Sequence, residues 1–240
     1  MGASNLEAAI DDDILENGLN LSSSSEPIMY TYLKTKYLLR DNPQIDTLFL
    51  GFNPGTLSPG CDGALFSSNT GLHFIKQFFP LLTFKDLWYL LKEHPIDITE
   101  YILSSTLSTI HSDGHEYIKE NFGGFVKSYS RLGEHPDAIL SSAEDKEFSI
   151  NLYYMNKLIE ICKSHNVHLH LLYAPMYKDE KYLLDDNKLY DVHETYFSQL
   201  PLSDYSDLEI PVKFRRDRYH LNYWGAQMFT KRIKSDFNLK

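Results

Sequence analysis

The sequence lacks several features that define whole classes of protein. It has no apolar run of about 18 residues, so it offers no candidate for a transmembrane helix. It also lacks an excess of basic charge: the net charge is −10, which argues against a general nucleic-acid binder, because such a protein needs a basic face for the phosphates. The only cysteines are Cys61 and Cys162, too few for a disulfide framework or a paired-cysteine metal site. No metal or cofactor is predicted, since His168 and His170 share a strand face without a third ligand at suitable spacing.

The N-terminal segment also lacks a recognisable targeting signal. Residues 1–25 are polar and acidic, without the basic and then apolar pattern of a signal peptide. They are interpreted as a polar N-terminal extension, and whether a leader or anchor belongs to the natural protein stays open. The sequence as a whole is 42% hydrophobic over 240 residues, and we predict one domain over 1–240.

What the sequence does contain is an alternation of helical and strand patterns. Helices are predicted for "IMYTYLKTKYLLRDN", for "FSINLYYMNKLIEICKSHN" and from about Tyr223 to Phe237. Strands are predicted for "IDTLFLGF" and "VHLHLLYAP", and an edge strand is predicted for "LEIPVKF". Residues 70–110 are expected to form interrupted helices, and residues 111–147 a loop excursion centred on "NFGGF". This order predicts a three-layer α/β/α sandwich around a mostly parallel sheet, with the site at the carboxyl ends of the strands.

The most informative stretch is "RRDRYHLNYWGAQMFTKRI" near the C-terminus. Asp217 lies three residues before His220, and Asn222 is a predicted N-cap for the helix that follows. A carboxylate at this spacing can accept the Nδ1 proton of the imidazole and leave Nε2 as an acceptor, which prepares the ring for general-base work. The basic residues of "KFRRDR" either attract a substrate carboxylate or phosphate or form a solvated turn.

The pattern D-x-x-H-L-N-x-x-G-A-x-x-F-T in this stretch resembles the closing motif of the SGNH (GDSL-type) hydrolase superfamily, and it is most like bacterial members associated with the cell envelope. The strand "IDTLFLGF" with its turn is similar to that family's opening motif. The resemblance implies a flavodoxin-like α/β/α sandwich outside the cytoplasm, acting without a metal on glycan or lipid-type acyl esters by hydrolysis or acyl transfer. It assigns Asp217 and His220 to a catalytic triad and implies oxyanion donors in intervening segments, with Gly123 or Gly124 as candidates for substrate binding.

One position departs from the family pattern. The nucleophilic serine is expected two residues after Gly51, which permits a tight exit from the strand, but the chain has Asn53 there, and an amide is a poor nucleophile. Three interpretations stay open. Ordinary ester hydrolysis is lost; or the hydroxyl of Thr56 or Ser58 replaces the serine; or His220 activates water while Asn53 donates to the oxyanion. The protein is therefore predicted to be an impaired acyl-ester hydrolase or acyltransferase, or alternatively a non-catalytic carbohydrate- or ligand-binding protein of the cell envelope.

Overall fold

The structure, a computed structural model, describes residues 1–53, 56, 78, 81–93, 99, 122–132, 149–177 and 186–240. The predicted helices between 70 and 110 fall partly outside these residues, and Ser58 and Cys61 fall entirely outside them. The described helices and strands, in chain order, are α1 (Ser4–Glu7), α2 (Ile28–Asp41), β1 (Thr47–Gly51), α3 (Phe84–Glu93), α4 (Ser149–Ser164), β2 (His168–Tyr173), α5 (Asp186–Tyr196), β3 (Leu202–Asp204) and α6 (Tyr223–Asp236). Short 3-10 helices lie at Asp12–Ile14 and Val212–Phe214.

The three described strands form a parallel sheet in the order β1-β2-β3. Thr47 aligns with His168 at one end of the β1–β2 pair, and Gly51 aligns with Leu172 at the other. Leu48 and Leu50, which share one face of β1, are buried, and Phe49 on the other face is partly buried. The predicted α/β class with a parallel sheet is therefore confirmed.

The N-terminal residues extend this sheet pattern beyond β1. The nitrogen of Met1 donates to the carbonyl oxygen of Phe49 at 2.6 Å, and the N–H of Gly51 donates to the carbonyl oxygen of Met1 at 2.8 Å. This is the slanted bonding of a parallel pair. Gly2 then passes so close to β1 that a Cβ on it would lie 3.1 Å from the nitrogen of Gly51, and its φ of 141° favours glycine. The start of α1 is thus placed at the carboxyl end of β1.

Residues 1–25 pack against the rest of the molecule, although the sequence suggested a polar extension. Leu6, Ala8 and Ala9 are each at most 2% exposed. The side-chain amide of Asn20 donates to the carbonyl oxygens of Leu6 and Ile10, at 3.0 and 2.8 Å. The Asn20 side chain therefore bonds to the segment's own turns, while Leu6, Ala8 and Ala9 enter the core and Leu19 stays exposed.

The C-terminal helix α6 buries one face in the core. Ala226, Phe229 and Ile233 on that face are all at most 3% exposed. The side chain of Asn222 accepts from the N–H of Gly225 at 3.3 Å, which confirms the predicted N-cap.

The predicted edge strand "LEIPVKF" is not a strand. The third strand of the described sheet is Leu202–Asp204, which pairs with Leu171–Tyr173, whereas Val212–Phe214 forms a 3-10 turn. Pro211 lacks the N–H that a ladder needs, and Ile210 is buried through side-chain packing alone. A three-residue strand such as β3 is too short for period-two alternation to reveal it.

A buried ion pair joins three separate segments beside the N-terminal residues. The ammonium of Lys34, on α2, pairs with the carboxylate of Glu26, and both side chains are fully buried. The same ammonium donates to the carbonyl oxygens of Leu21 and Phe122. Burial raises the pKa of Glu26, and the Lys34 charge opposes that rise.

Replacing Lys34 with methionine should lower the free energy of unfolding by about 3–5 kcal/mol, because it leaves a buried carboxylate without its counter-charge. Urea denaturation followed by circular dichroism measures the loss. The double variant Glu26→Gln/Lys34→Met should recover much of it, since neither member of the pair is then charged. Arg40→Met, which removes an exposed partner of Asp41 on the same helix, is the matched control and should denature with the wild type. A single variant as stable as the control would contradict this role for the pair.

Candidate active site

Asp217 and His220 form a closed pair within one turn. Nδ1 of His220 lies 2.8 Å from both carboxylate oxygens of Asp217. The N–H groups of Tyr219 and His220 also donate to Asp217 Oδ1, each at 2.9 Å. The turn is closed by an antiparallel bridge between Arg215 and Leu221. The three-residue spacing therefore places the carboxylate beneath the imidazole, as the sequence suggested.

The carboxylate of Asp217 stays ionised at neutral pH. Partial burial raises its pKa, but hydrogen bonds from His220, Tyr219 and Arg216 outweigh burial and hold the pKa well below its usual range. Because an ionised carboxylate only accepts hydrogen bonds, Nδ1 must be the donor. In the neutral ring Nε2 is then an acceptor. The imidazole side chain is 17% exposed, so it has an opening to solvent.

The partner of that acceptor nitrogen is a serine at the other end of the chain. Ser4 Oγ lies 2.8 Å from Nε2 of His220, across a separation of 216 residues. Ser4 is the first residue of α1, and it follows Gly2, which rests against Gly51. A serine hydroxyl, an imidazole and a carboxylate are thus aligned in series.

Sequence reasoning missed Ser4 because it assigned residues 1–25 to a polar extension. A signal was present in "MGASNLEAA", where Gly2 precedes Ser4 by two residues and an apolar stripe starting at Leu6 follows. The same spacing occurs after β1, where Gly51 precedes Asn53 by two residues. The strand-like pairing of Met1 with β1 that gives Ser4 its context is a tertiary contact, which local sequence patterns do not show.

The residues named around β1 have other contacts. Gly51 ends β1 beside Gly2, and Asn53 follows two residues later. The N–H of Asn53 donates to Thr56 Oγ1 at 2.8 Å, and the N–H of Thr56 donates to the carbonyl oxygen of Asn53 at 2.9 Å. The hydroxyl facing Nε2 of His220 is therefore that of Ser4, so asparagine at position 53 does not leave the imidazole without a hydroxyl partner. Ser58, the other proposed substitute, lies outside the described residues.

Gly123 and Gly124 lie at the start of a segment that we call the strap, residues 122–132. A Cβ on Gly123 would lie 2.2 Å from the carbonyl oxygen of Ser22, and its φ of 102° favours glycine. The N–H of Gly124 donates to that same oxygen at 3.0 Å. These glycines thus allow a close approach of two backbones, and their predicted part in substrate binding stays a prediction.

The strap connects the serine to the histidine. The N–H of Val126 donates to the carbonyl oxygen of Glu7 at the end of α1, at 3.1 Å. The carbonyl oxygen of Ser128 accepts from Tyr223, and the N–H of Leu132 donates to Arg215, at 2.7 and 2.8 Å. The strap therefore makes main-chain bonds to α1 and to both sides of the turn that holds His220.

Comparison with known proteins adds no relative: no family model matches the chain, and neither a curated protein nor a solved structure matches it significantly. Within the described ranges, no three His, Cys, Asp or Glu side chains are grouped as a metal site would require. Within the same ranges no helix has both the length and the apolar character needed to cross a membrane.

The geometry predicts which nitrogen of the neutral His220 ring carries the proton. Long-range ¹H–¹⁵N spectra of histidine-labelled protein should show the neutral ring protonated on Nδ1, because Asp217 accepts there. Asp217→Asn should disturb this pattern, since the new amide can donate to Nδ1 and favour the other tautomer. The His220→Gln variant assigns the resonance, and Asp236→Asn, at an exposed carboxylate on α6, is the control. A wild-type ring protonated on Nε2 would contradict the geometry.

Proposed function

We propose that the protein is a serine-dependent acyl hydrolase or acyltransferase, with Ser4 as nucleophile, His220 as general base and Asp217 as the residue that orients the imidazole. The observation that carries the proposal is the continuous series of contacts, 2.8 Å from Ser4 Oγ to Nε2 and 2.8 Å from Nδ1 to the carboxylate. This order of groups is that of the serine triad, which is recognised by geometry rather than by sequence position.

The reaction follows from these contacts. Ser4 Oγ attacks the acyl carbonyl carbon while its proton passes to Nε2 of His220. Asp217 stabilises the imidazolium that forms. When the tetrahedral intermediate collapses, the ester C–O bond breaks and the leaving oxygen takes the proton from Nε2. A water molecule, or the hydroxyl of an acyl acceptor, then attacks acyl-Ser4 with His220 again acting as base, and the serine is regenerated.

Asn53 has a role in this proposal as an oxyanion donor. Gly2 and Gly51 are in contact, and Ser4 and Asn53 each follow their glycine by two residues. Neighbouring parallel segments bring such positions to the same edge of the sheet. A side-chain amide there can donate to the oxygen that becomes negative in the tetrahedral intermediate, a contact worth about 10²–10³ in kcat elsewhere. Asn53 is then a stabilising group and not a substituted nucleophile.

We further propose an SGNH-type three-layer α/β/α sandwich as the complete fold, and an acyl ester on a glycan or lipid as the substrate. The support is the parallel sheet, the Asp-x-x-His turn ahead of a capped helix, and a Gly-x-Ser sequence at the start of α1. The alternative of a non-catalytic binding protein rested on the missing hydroxyl at position 53. The Ser4 hydroxyl removes that reason, so the observations favour catalysis.

Hydrolysis of 4-nitrophenyl acetate tests the proposal. Ser4→Ala and His220→Ala should each lower kcat by roughly 10³-fold or more, because the triad acts as a unit. Asp217→Asn should lower it by about 10²–10⁴-fold, since the wrong tautomer is then favoured. Ser164→Ala, at an exposed serine that ends α4, is the matched control and should retain the wild-type rate. Thr56→Val tests the other hydroxyl near β1; it removes the acceptor of the Asn53 N–H and should cost far less than Ser4→Ala.

A fluorophosphonate probe gives a second measurement that does not depend on the choice of ester. Mass spectrometry should locate the adduct on Ser4, and the adduct should be absent from His220→Ala. Labelling at another residue, or full esterase activity in Ser4→Ala, would overturn the assignment. A protein that neither hydrolyses the ester nor reacts with the probe would favour the non-catalytic alternative.

A further inference from the structure

A row of aromatic rings and cations lies along the strap and the first turn of α6. The row, which we call the aromatic row, consists of Lys127, Tyr129, Arg131, Tyr223 and Trp224. The three strap members are alternate residues, so they project to one side of the strap. On that side they meet the two rings of α6.

Cations and rings contact one another along the whole row. Tyr129 packs against Tyr223 and Trp224, with centroids 5.3 and 5.7 Å apart. The Lys127 ammonium lies 5.3 Å from the Tyr223 ring centroid, and the Arg131 guanidinium lies 5.2 Å from that of Trp224. These distances are those of cation–π contacts, which hold a charged head in place without consuming its hydrogen-bond donors.

The row is open to solvent and retains a cation without a counter-charge. Tyr129 is 60% exposed and Trp224 is 37% exposed. Lys127 pairs with Asp13 at 2.9 Å, whereas Arg131 has no carboxylate partner in the part of the chain that the structure describes. In a protein of net charge −10, this is a local positive group set on an aromatic surface. A guanidinium stacked on an indole keeps its planar donors free for a carboxylate.

The row is connected directly to the candidate triad. Trp224 follows His220 by four residues, and the N–H of Tyr223 donates to the carbonyl oxygen of Ser128 within the strap. Val126, next to Lys127, bonds to the last residue of α1, the helix that begins at Ser4. A ligand lying on the row is therefore held beside the elements that position the nucleophile.

We propose that the aromatic row binds an acidic oligosaccharide, with sugar rings against Tyr129 and Trp224 and a uronate carboxylate on Arg131. That this ligand carries the ester attacked by Ser4 rests on the proposed function. Amphipathic rings suit a ligand with both C–H faces and hydroxyls. Arg131, which has no carboxylate partner among the described residues, offers a site for a single carboxylate, whereas nucleic acid and anionic bilayers are bound through many basic side chains at once, and this row has two.

Isothermal titration calorimetry with hexagalacturonate and with neutral maltohexaose tests the proposal. Wild-type protein should bind the acidic ligand and bind the neutral one at least several-fold more weakly. Arg131→Gln should weaken binding of hexagalacturonate by about tenfold or more, because a charged hydrogen bond is lost. Arg131→Lys should retain part of the affinity, and Tyr129→Ala should weaken both ligands. Lys231→Gln, at another exposed cation on α6, should bind as the wild type does.

The outcomes separate this proposal from the esterase proposal. Binding should persist in Ser4→Ala, because it needs no acyl chemistry. A wild-type protein that binds hexagalacturonate but shows no esterase activity would therefore count against the triad alone. Equal affinity for the two oligosaccharides, or unchanged binding in Arg131→Gln, would overturn the acidic-glycan site. Arg131-dependent binding to phosphatidylglycerol vesicles or to single-stranded DNA, with no binding of hexagalacturonate, would overturn it as well.

Discussion

The arrangement depends on one imidazole that makes contacts at both nitrogens. Nδ1 of His220 donates to a carboxylate three residues away, and Nε2 accepts from a serine 216 residues away. The first contact is local and needs only a turn. The second forms only if Ser4 and His220 are positioned relative to each other to within a small fraction of a hydrogen-bond length. Most of the unusual packing near the site is explained by that requirement.

Two devices hold the ends in place. On the histidine side, α6 begins directly against the preceding turn, where a Cβ on Gly225 would lie 2.2 Å from the carbonyl oxygen of Phe214. On the serine side, the strap binds the end of α1, and the buried ammonium of Lys34 bonds to Phe122 at the start of the strap and to Leu21. Main-chain hydrogen bonds and buried ion pairs hold two segments together more rigidly than exposed side-chain pairs do. Such contacts suit a candidate site whose residues come from distant segments.

Local patterns in the sequence were enough for the elements with strong periodicity. The helix before β1, the strands at Thr47–Gly51 and His168–Tyr173, and the Asn222-capped final helix all follow from apolar spacing and capping chemistry. The Asp217–His220 contact was also predictable, because three residues determine it. Ser4 was not, since its role comes from a neighbour 216 residues away and from main-chain bonds between Met1 and β1, neither of which leaves a mark on hydrophobic periodicity. β3 was not predicted for a related reason: a three-residue strand is identified by its pairing with β2 and not by its own residue pattern.

The two Gly-x-polar sequences, Gly2 to Ser4 and Gly51 to Asn53, are explained together by the close packing of the N-terminal segment against β1. A Cβ on Gly2 would come within 3.1 Å of the backbone of Gly51, and a Cβ on Gly51 would come within 3.0 Å of the Leu6 side chain in α1. A Cβ on Gly2 would press on the backbone of β1, and a Cβ on Gly51 would displace the Leu6 side chain. The absence of side chains at both positions therefore lets the two segments lie side by side. Ser4 and Asn53, each two residues after its glycine, then follow at the same edge of the sheet. Under the proposed function, asparagine at position 53 is compatible with a serine nucleophile, because Ser4 of the neighbouring segment supplies the hydroxyl. A second hydroxyl at position 53 would add no nucleophile that His220 could reach while Ser4 occupies Nε2.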